Sequence, residues 1–435
     1  MGGGLLQLVA TGAQDLYLTG NPQITFFKIV YRRHTNFSVE CIEQTIDGII
    51  DATPSSSIVT ISRNGDLVSS MHLEVTFAAG IRGDTATTRS TQWTNNTGHA
   101  FIKEVEVEIG GQRIDKQNGQ WLDIWNELTD HEEIEHLGLN KHKSKKAYLL
   151  NGASGTNSMD ALKVYVPLKF WFNRNPGLAL PLIALQYHEV KIKLKTRGVL
   201  GLVNSTGTLA GTAAKPNVKL WADYIYLDMD ERKRFAQQSH EYLIEQVQKH
   251  ESQMEASKEM DFNHPIKELI WVIQDATVRS ENISGTASDV NATQNIVDLS
   301  TESTTNKNDY FNYTTNINDD SEFISNQTSI ESFKTVVLTL NGHERFKARD
   351  ASYFRLIQPA QAGHRIPDKH IYMYSFALRP EQHQPSGSCN FSKMDTAILE
   401  FTTAGTFSGT TITIYAVNYN VLKIASGMGG LAYAN

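Results

Sequence analysis

Cysteine is nearly absent from this chain. Cys41 and Cys389 are the only two, and they lie too far apart in sequence to outline a disulfide framework. That scarcity fits a protein assembled in a reducing compartment. Excess positive charge is missing too: the formal net charge is −7 over 435 residues, so general basicity does not mark nucleic acid as the main partner. Long hydrophobic runs are also lacking. Leu178–Leu185 is apolar but far shorter than the ~20 residues a bilayer span needs, and it contains Pro181. No basic region followed by an apolar segment opens the chain, so no secretory signal is expected.

Recognisable reaction chemistry is equally scarce. His131-Glu132-Glu133-Ile134-Glu135-His136 has its histidines five apart, whereas a zinc helix needs them four apart on one face. On a helix, five residues separate two side chains by about 140°, so a solvated charged turn is the better reading. Gly427-Met428-Gly429-Gly430 lacks the lysine of a phosphate-binding loop. Neither cysteine has a nearby histidine placed to activate a thiolate. Lys141, His142, Lys143, Lys145 and Lys146 read as a solvated loop. Arg32-Arg33-His34 beside Phe27 and Tyr31 is too short and isolated for a nucleic-acid platform. No catalytic residue, cofactor or metal ligand is expected, and no sequence-specific nucleic acid.

What the chain has in quantity is strand signal. Val105–Ile109, Val190–Leu194 and Thr411–Ile414 alternate apolar and polar residues, which sends one set to a core and the other to solvent. Turn residues separate such runs at Asn64-Gly65-Asp66, Gly110-Gly111, Asn341-Gly342 and Pro385-Ser386-Gly387. Two segments read as helix. Trp121–Leu128 spaces Trp121, Ile124, Trp125 and Leu128 on one face, and Asp230–His250 is charged, with Phe235, Leu243 and Val247 near helical intervals.

The two halves repeat one another. Val105-x-Val107-x-Ile109-x-Gly111-x-Arg113, then Trp121-Leu122, matches Val336-x-Leu338-x-Leu340-x-Gly342-x-x-Arg345, then Tyr353-Phe354. Tyr165–Phe172 before Asn173-Arg174-Asn175-Pro176 matches Tyr372–Leu378 before Arg379-Pro380. Val190–Leu194 matches Ala397–Phe401, and Trp221, Ala222 and Tyr224 recur loosely as Tyr415, Ala416 and Tyr419. Four matches in one order indicate duplication. Each copy carries about eight short strands, which must stack as two sheets to bury their apolar faces. The expected fold is all-β: two tandem eight-stranded jelly rolls with few short helices. The expected division is an arm at 1–23, a first jelly roll at 24–211 opening on a strand-like run Ile24–Tyr31, a linker and shared strand region at 212–223, and a second jelly roll at 224–435.

Three insertions, Ala79–His99, Thr129–Ala161 and Asp275–Ser332, fall between matched strands and belong on a surface. Asn36, Asn95, Asn204, Asn282, Asn291, Asn312, Asn326 and Asn390 each precede x-Ser/Thr. Asn282, Asn291, Asn312 and Asn326 cluster in the third insertion and are the candidate glycan carriers. A jelly roll also serves lectins, so a glycan-binding or host-attachment protein is the alternative reading. Its one weak calcium-ligand candidate is Asn316-Ile317-Asn318-Asp319-Asp320.

Five segments carry a family resemblance: Asp15–Phe37, Ile61–Leu67 (ISRNGDL), Leu180–Glu189 (LPLIALQYHE), Arg379–Phe391 (RPEQHQPSGSCNF) and Asn418–Asn435. Through them the chain resembles the major capsid proteins of nucleocytoplasmic large DNA viruses, those of algal viruses above all. The resemblance implies a double jelly roll that is a structural protein rather than an enzyme. It implies homotrimers that form pseudo-hexagonal capsomers, tile an icosahedral virion shell assembled in host cytoplasm, and contact neighbouring capsomers, minor capsid proteins and an internal viral membrane.

Overall fold

The computed structural model describes residues 3–79, 82–83, 91–129, 161–205, 209–210, 213–275, 310–313, 331–403 and 409–433. Two compact units result, Met1–Phe37 and Ser38–Asn435. The first holds two short helices, Gly3–Val9 and Leu16–Thr19, and then an irregular stretch. Ile24–Tyr31, expected as an opening strand, forms none. A strand is stable only when its backbone groups are paired, and this segment has no partner strand among the described residues.

The larger unit is built from two sets of eight strands. The first set is β1 (Phe37–Gln44), β2 (Ser55–Thr60), β3 (Leu67–Phe77), β4 (Ile102–Ile109), β5 (Gln112–Gln117), β6 (Leu162–Pro167), β7 (Val190–Thr196) and β8 (Asn217–Leu227). The second is β9 (His240–Gln253), β10 (Ser257–Glu259), β11 (Pro265–Asp275), β12 (Thr335–Leu340), β13 (His343–Asp350), β14 (Tyr372–Ser375), β15 (Ala397–Thr402) and β16 (Thr410–Ala425). The first set forms sheets ordered β1-β8-β3-β6 and β2-β7-β4-β5. The second forms β9-β16-β11-β14 and β10-β15-β12-β13. Adding eight to each label of the first pair of sheets gives the second pair. The duplication read from the sequence is therefore one of topology, and each copy is a jelly roll.

Every matched segment falls on an equivalent element. The hairpin β4–β5 turns at Gly110-Gly111, with φ +58° and +83°; β12–β13 turns at Asn341-Gly342, with φ +49° and +78°. Two positive φ values in a two-residue loop are what the strand twist demands, and glycine and asparagine supply them at least cost. Each hairpin leads into helix, Gly119–Thr129 in one copy and the turns Tyr353–Ile357 and Gln358–Ala362 in the other. The alternation in β4 buries Val105, Val107 and Ile109 completely. Each such side chain contributes roughly 1.5–3 kcal/mol.

Gly119 starts its helix against the backbone of the short helix Thr97–Phe101 and the first residue of β4. A Cβ there would lie 2.0 Å from the His99 carbonyl oxygen and 2.5 Å from that of Ile102. Neither is the end of a flexible side chain, so Gly119→Ala is expected to cost about 1–3 kcal/mol through forced backbone movement. Thermal unfolding of the variant checks this; an unchanged midpoint would show that the helix can shift freely.

Two further expectations are corrected. Asp230–His250 is not one helix: helix spans Met229–Gln237, and β9 begins at His240. High charge with Phe235, Leu243 and Val247 near helical intervals mimics an exposed helix, but β9 pairs along its whole length with β16, and that tertiary pairing overrides local propensity. The stretch 212–223, expected as a linker and shared strand region, holds the start of β8, which pairs with β3 from Asn217 through Ile225. The third insertion is not wholly superficial, because Tyr310–Tyr313 is buried. Most of the remaining insertion residues, with the His131–His136 and Lys141–Lys146 motifs and Asn316–Asp320, lie outside the described residues.

Candidate functional site at the joint between the sandwiches

Leu269-Ile270-Trp271-Val272-Ile273 in β11 is continuously apolar, a pattern that suits a strand covered on both faces. Leu269, Trp271 and Ile273 enter the core of the second sandwich with Leu338 and Leu399. Ile270 and Val272 point the other way, into the core that holds Trp121, Ile124 and the rest of the first sandwich. β16 divides likewise, with Ile414 and Ala416 in the second core and Tyr415 and Val417 in the first. One sheet thus serves both jelly rolls.

The helix Gly119–Thr129 is wedged into this joint. Asn118 caps it, its Oδ1 accepting the Trp121 amide at 2.8 Å. The Trp121 ring lies 5.2 Å from that of Tyr415, whose hydroxyl donates to Gln120 Oε1 at 2.8 Å. Gln120 Nε2 donates to Gln274 Oε1 at 2.7 Å, and Gln274 Nε2 donates to the carbonyls of Tyr310 and Asn312, both at 2.9 Å. Each buried amide is thereby matched, as burial of polar groups requires.

Buried charge crosses the joint twice. Asp123 accepts from Lys369 Nζ at 2.9 and 3.0 Å, from Tyr313 Oη at 2.7 Å and from Asn96 Nδ2 at 2.7 Å. Lys369 also stands over the rings of Phe311 and Tyr313. Nearby, Glu245 pairs with Arg174 at 2.9 Å and Lys267 at 2.7 Å. Burial would raise the Glu245 pKa, but the two cations outweigh it and hold the carboxyl below its usual range. His364 sits between Glu268 (2.9 Å) and Glu381 (2.7 Å). Burial alone would lower its pKa; the two carboxylates overcome that and raise it to about 9. On the other flank, Asp115 accepts from the Val247 amide at 3.0 Å and from Gln117 Nε2 at 3.0 Å. Burial pushes its carboxyl up to about 6.

Four of the family-like segments, those within Ser38–Asn435, meet at the same joint. Arg63 Nη2 donates to the Leu185 carbonyl at 2.6 Å, linking ISRNGDL to LPLIALQYHE. The latter meets the C-terminal segment, where the Tyr187 amide donates to the Gly427 carbonyl and the Gly429 amide to His188 Nδ1. In RPEQHQPSGSCNF, Pro380 accepts from Lys267, Glu381 holds His364, and Asn390 pairs with Pro265. The motifs are joinery rather than catalysis.

Of the candidate glycan carriers, Asn282, Asn291 and Asn326 lie outside the described residues. Asn312 is corrected: it is 1% exposed, and its backbone carbonyl is tied to Gln274, so a glycan has no room there. The signal that would have placed it was available. Tyr310-Phe311-x-Tyr313 is an aromatic knot in an otherwise Asn/Thr/Ser-rich insertion, and such residues seek burial. Asp123 and Lys369 offered no such signal, being 246 positions apart.

Two jelly rolls fused through a shared sheet, with their charged groups spent on holding the joint, define a structural shell protein. The chain belongs to the large eukaryotic DNA virus major capsid protein family. A family description of that name matches residues 231–430, and "Major capsid protein N-terminus" matches residues 25–228. Major capsid proteins of Pyramimonas orientalis virus and Paramecium bursaria Chlorella virus 1 are 44% and 40% identical, each aligned over 100% of both chains. A solved chain from a quasi-atomic model of the PBCV-1 virus capsid superposes with a TM-score of 0.71 at 35% identity, covering 94% of this chain and 100% of the other. The Faustovirus major capsid protein shares the fold at 14% identity, with a TM-score of 0.69 and 95% and 94% coverage. This protein is accordingly a structural component of a virion capsid shell and not an enzyme.

Proposed function

We propose that the chain acts as a homotrimer whose six jelly rolls form a pseudo-hexagonal capsomer, and that such capsomers tile the icosahedral shell. The observation that carries this reading is the repeated strand order. Two near-equivalent rolls per chain, repeated about a threefold axis, approximate a hexagon while each chain uses a single set of head-to-tail contacts. In this reading neighbouring capsomers meet edge to edge. The arm Met1–Gln23 faces inward toward minor capsid proteins and an internal membrane, and the three insertions, apart from their buried parts at Trp93–His99 and Tyr310–Tyr313, face outward, with glycans on Asn282, Asn291 and Asn326 where they are carried. Assembly takes place in host cytoplasm, in keeping with the scarcity of cysteine.

Light scattering and electron microscopy of the purified full-length protein test the reading. Particles of three chains with a hexagonal outline are expected at micromolar concentration. A monomer, or a ring of another order, would overturn it.

A further inference from the structure

The segment Ile24–Tyr31 is the most conspicuous apolar surface among the described residues. Ile24, Phe26, Phe27, Ile29, Val30 and Tyr31 are 73–98% exposed. Side chains of this size offer on the order of 900 Å² together, about what one partner gives to a standard interface (roughly 800 Å²). Monomeric proteins rarely leave such a patch uncovered. The residues are β-branched and aromatic, the types that prefer strands, yet the segment has no strand partner. Its charge is one-sided: Lys28, Arg32 and Arg33 are present, and no acidic residue occurs between Asp15 and Glu40.

The complementary surface lies at the edge of the first sandwich. β1 is the terminal strand of its sheet, bonded only to β8 among the described residues, so its outer backbone groups are open to a further strand. Phe37 and Val39 on it are each 55% exposed. Its charges are acidic: Glu40, which accepts from the Tyr226 hydroxyl, and Glu43, which pairs at the surface with Lys219, with Asp47 close beyond.

We infer that Ile24–Tyr31 of one chain adds as an extra strand to the β1 edge of a second copy of this chain. The addition completes that sheet, covers the apolar side chains of both partners and sets Lys28, Arg32 and Arg33 against Glu40 and Glu43. A membrane surface would also accept an apolar, basic segment, but it would leave the backbone edge of β1 without a partner strand. The inference rests on the trimer reading and names the contact that closes the ring.

The test replaces Phe27 with photoreactive p-benzoylphenylalanine in the full-length protein. Irradiated trimers are resolved on a denaturing gel, and the adduct is mapped by mass spectrometry. The expected result is a two-chain band with the adduct within 37–44, falling at least fivefold in a variant carrying Glu40→Lys and Glu43→Lys. Trimers whose adduct lies within the same chain, on another surface, or on added anionic vesicles would overturn this contact and leave the trimer standing. A monomeric full-length protein would overturn both readings.

Discussion

Asp123→Ala is expected to lower the unfolding free energy by about 3–5 kcal/mol, the usual cost of stranding one member of a buried ion pair. The carboxylate is wholly buried and receives Lys369, Tyr313 and Asn96. Its removal takes away the acceptor that Lys369, Tyr313 and Asn96 share. Replacing both partners, as Asp123→Leu with Lys369→Met, should cost far less, because no orphaned charge remains. Denaturant unfolding of the single and double variants provides the measurement. A double variant as unstable as Asp123→Ala would mean that packing, not charge, sets the strength of the joint.

The second large effect is one of pH. His364 has its pKa raised from 6.5 to about 9 in the folded chain. Below pH 6.5 the folded and unfolded states both hold the proton, and the full stabilisation is present. Between 6.5 and 9 the unfolded state gives it up while the folded state keeps it, so stability falls as pH rises, by about 3 kcal/mol over the window. Asp115, raised to about 6, works in the same direction at lower pH, costing stability as pH climbs from 3.8 to 6. Melting temperature followed from pH 6 to 10 should decline in the native chain and flatten in His364→Gln. Equal slopes in the two proteins would remove His364 from the account.

Much of the fold could be read from residue order because most strands here bury one face only. Val105, Val107 and Ile109 alternate with charged residues, and the glycine pair after them fixes the hairpin. The pattern fails where tertiary contact changes the rule. β11 does not alternate because both its faces are covered, and β9 carries a charge on a covered position because Glu245 is matched there by Arg174 and Lys267. The joint itself was hidden for another reason. Asp123 with Lys369, and Glu268 with His364, are remote pairs of common residues, and chain spacing carries no trace of their meeting. Four of the family-like segments, those from Ile61 onward, marked its position without disclosing its chemistry.

The sheet shared by the two sandwiches has a mechanical consequence. A sheet packed on both faces is not a hinge: any change of angle between the rolls would open one core or crush the other, and close-packed interiors resist both. Each chain therefore behaves as a stiff tile of fixed angle. A closed shell made from such tiles must take its curvature at the seams between them, so the flexible contacts of the particle belong to the arms and edges and not to the plates.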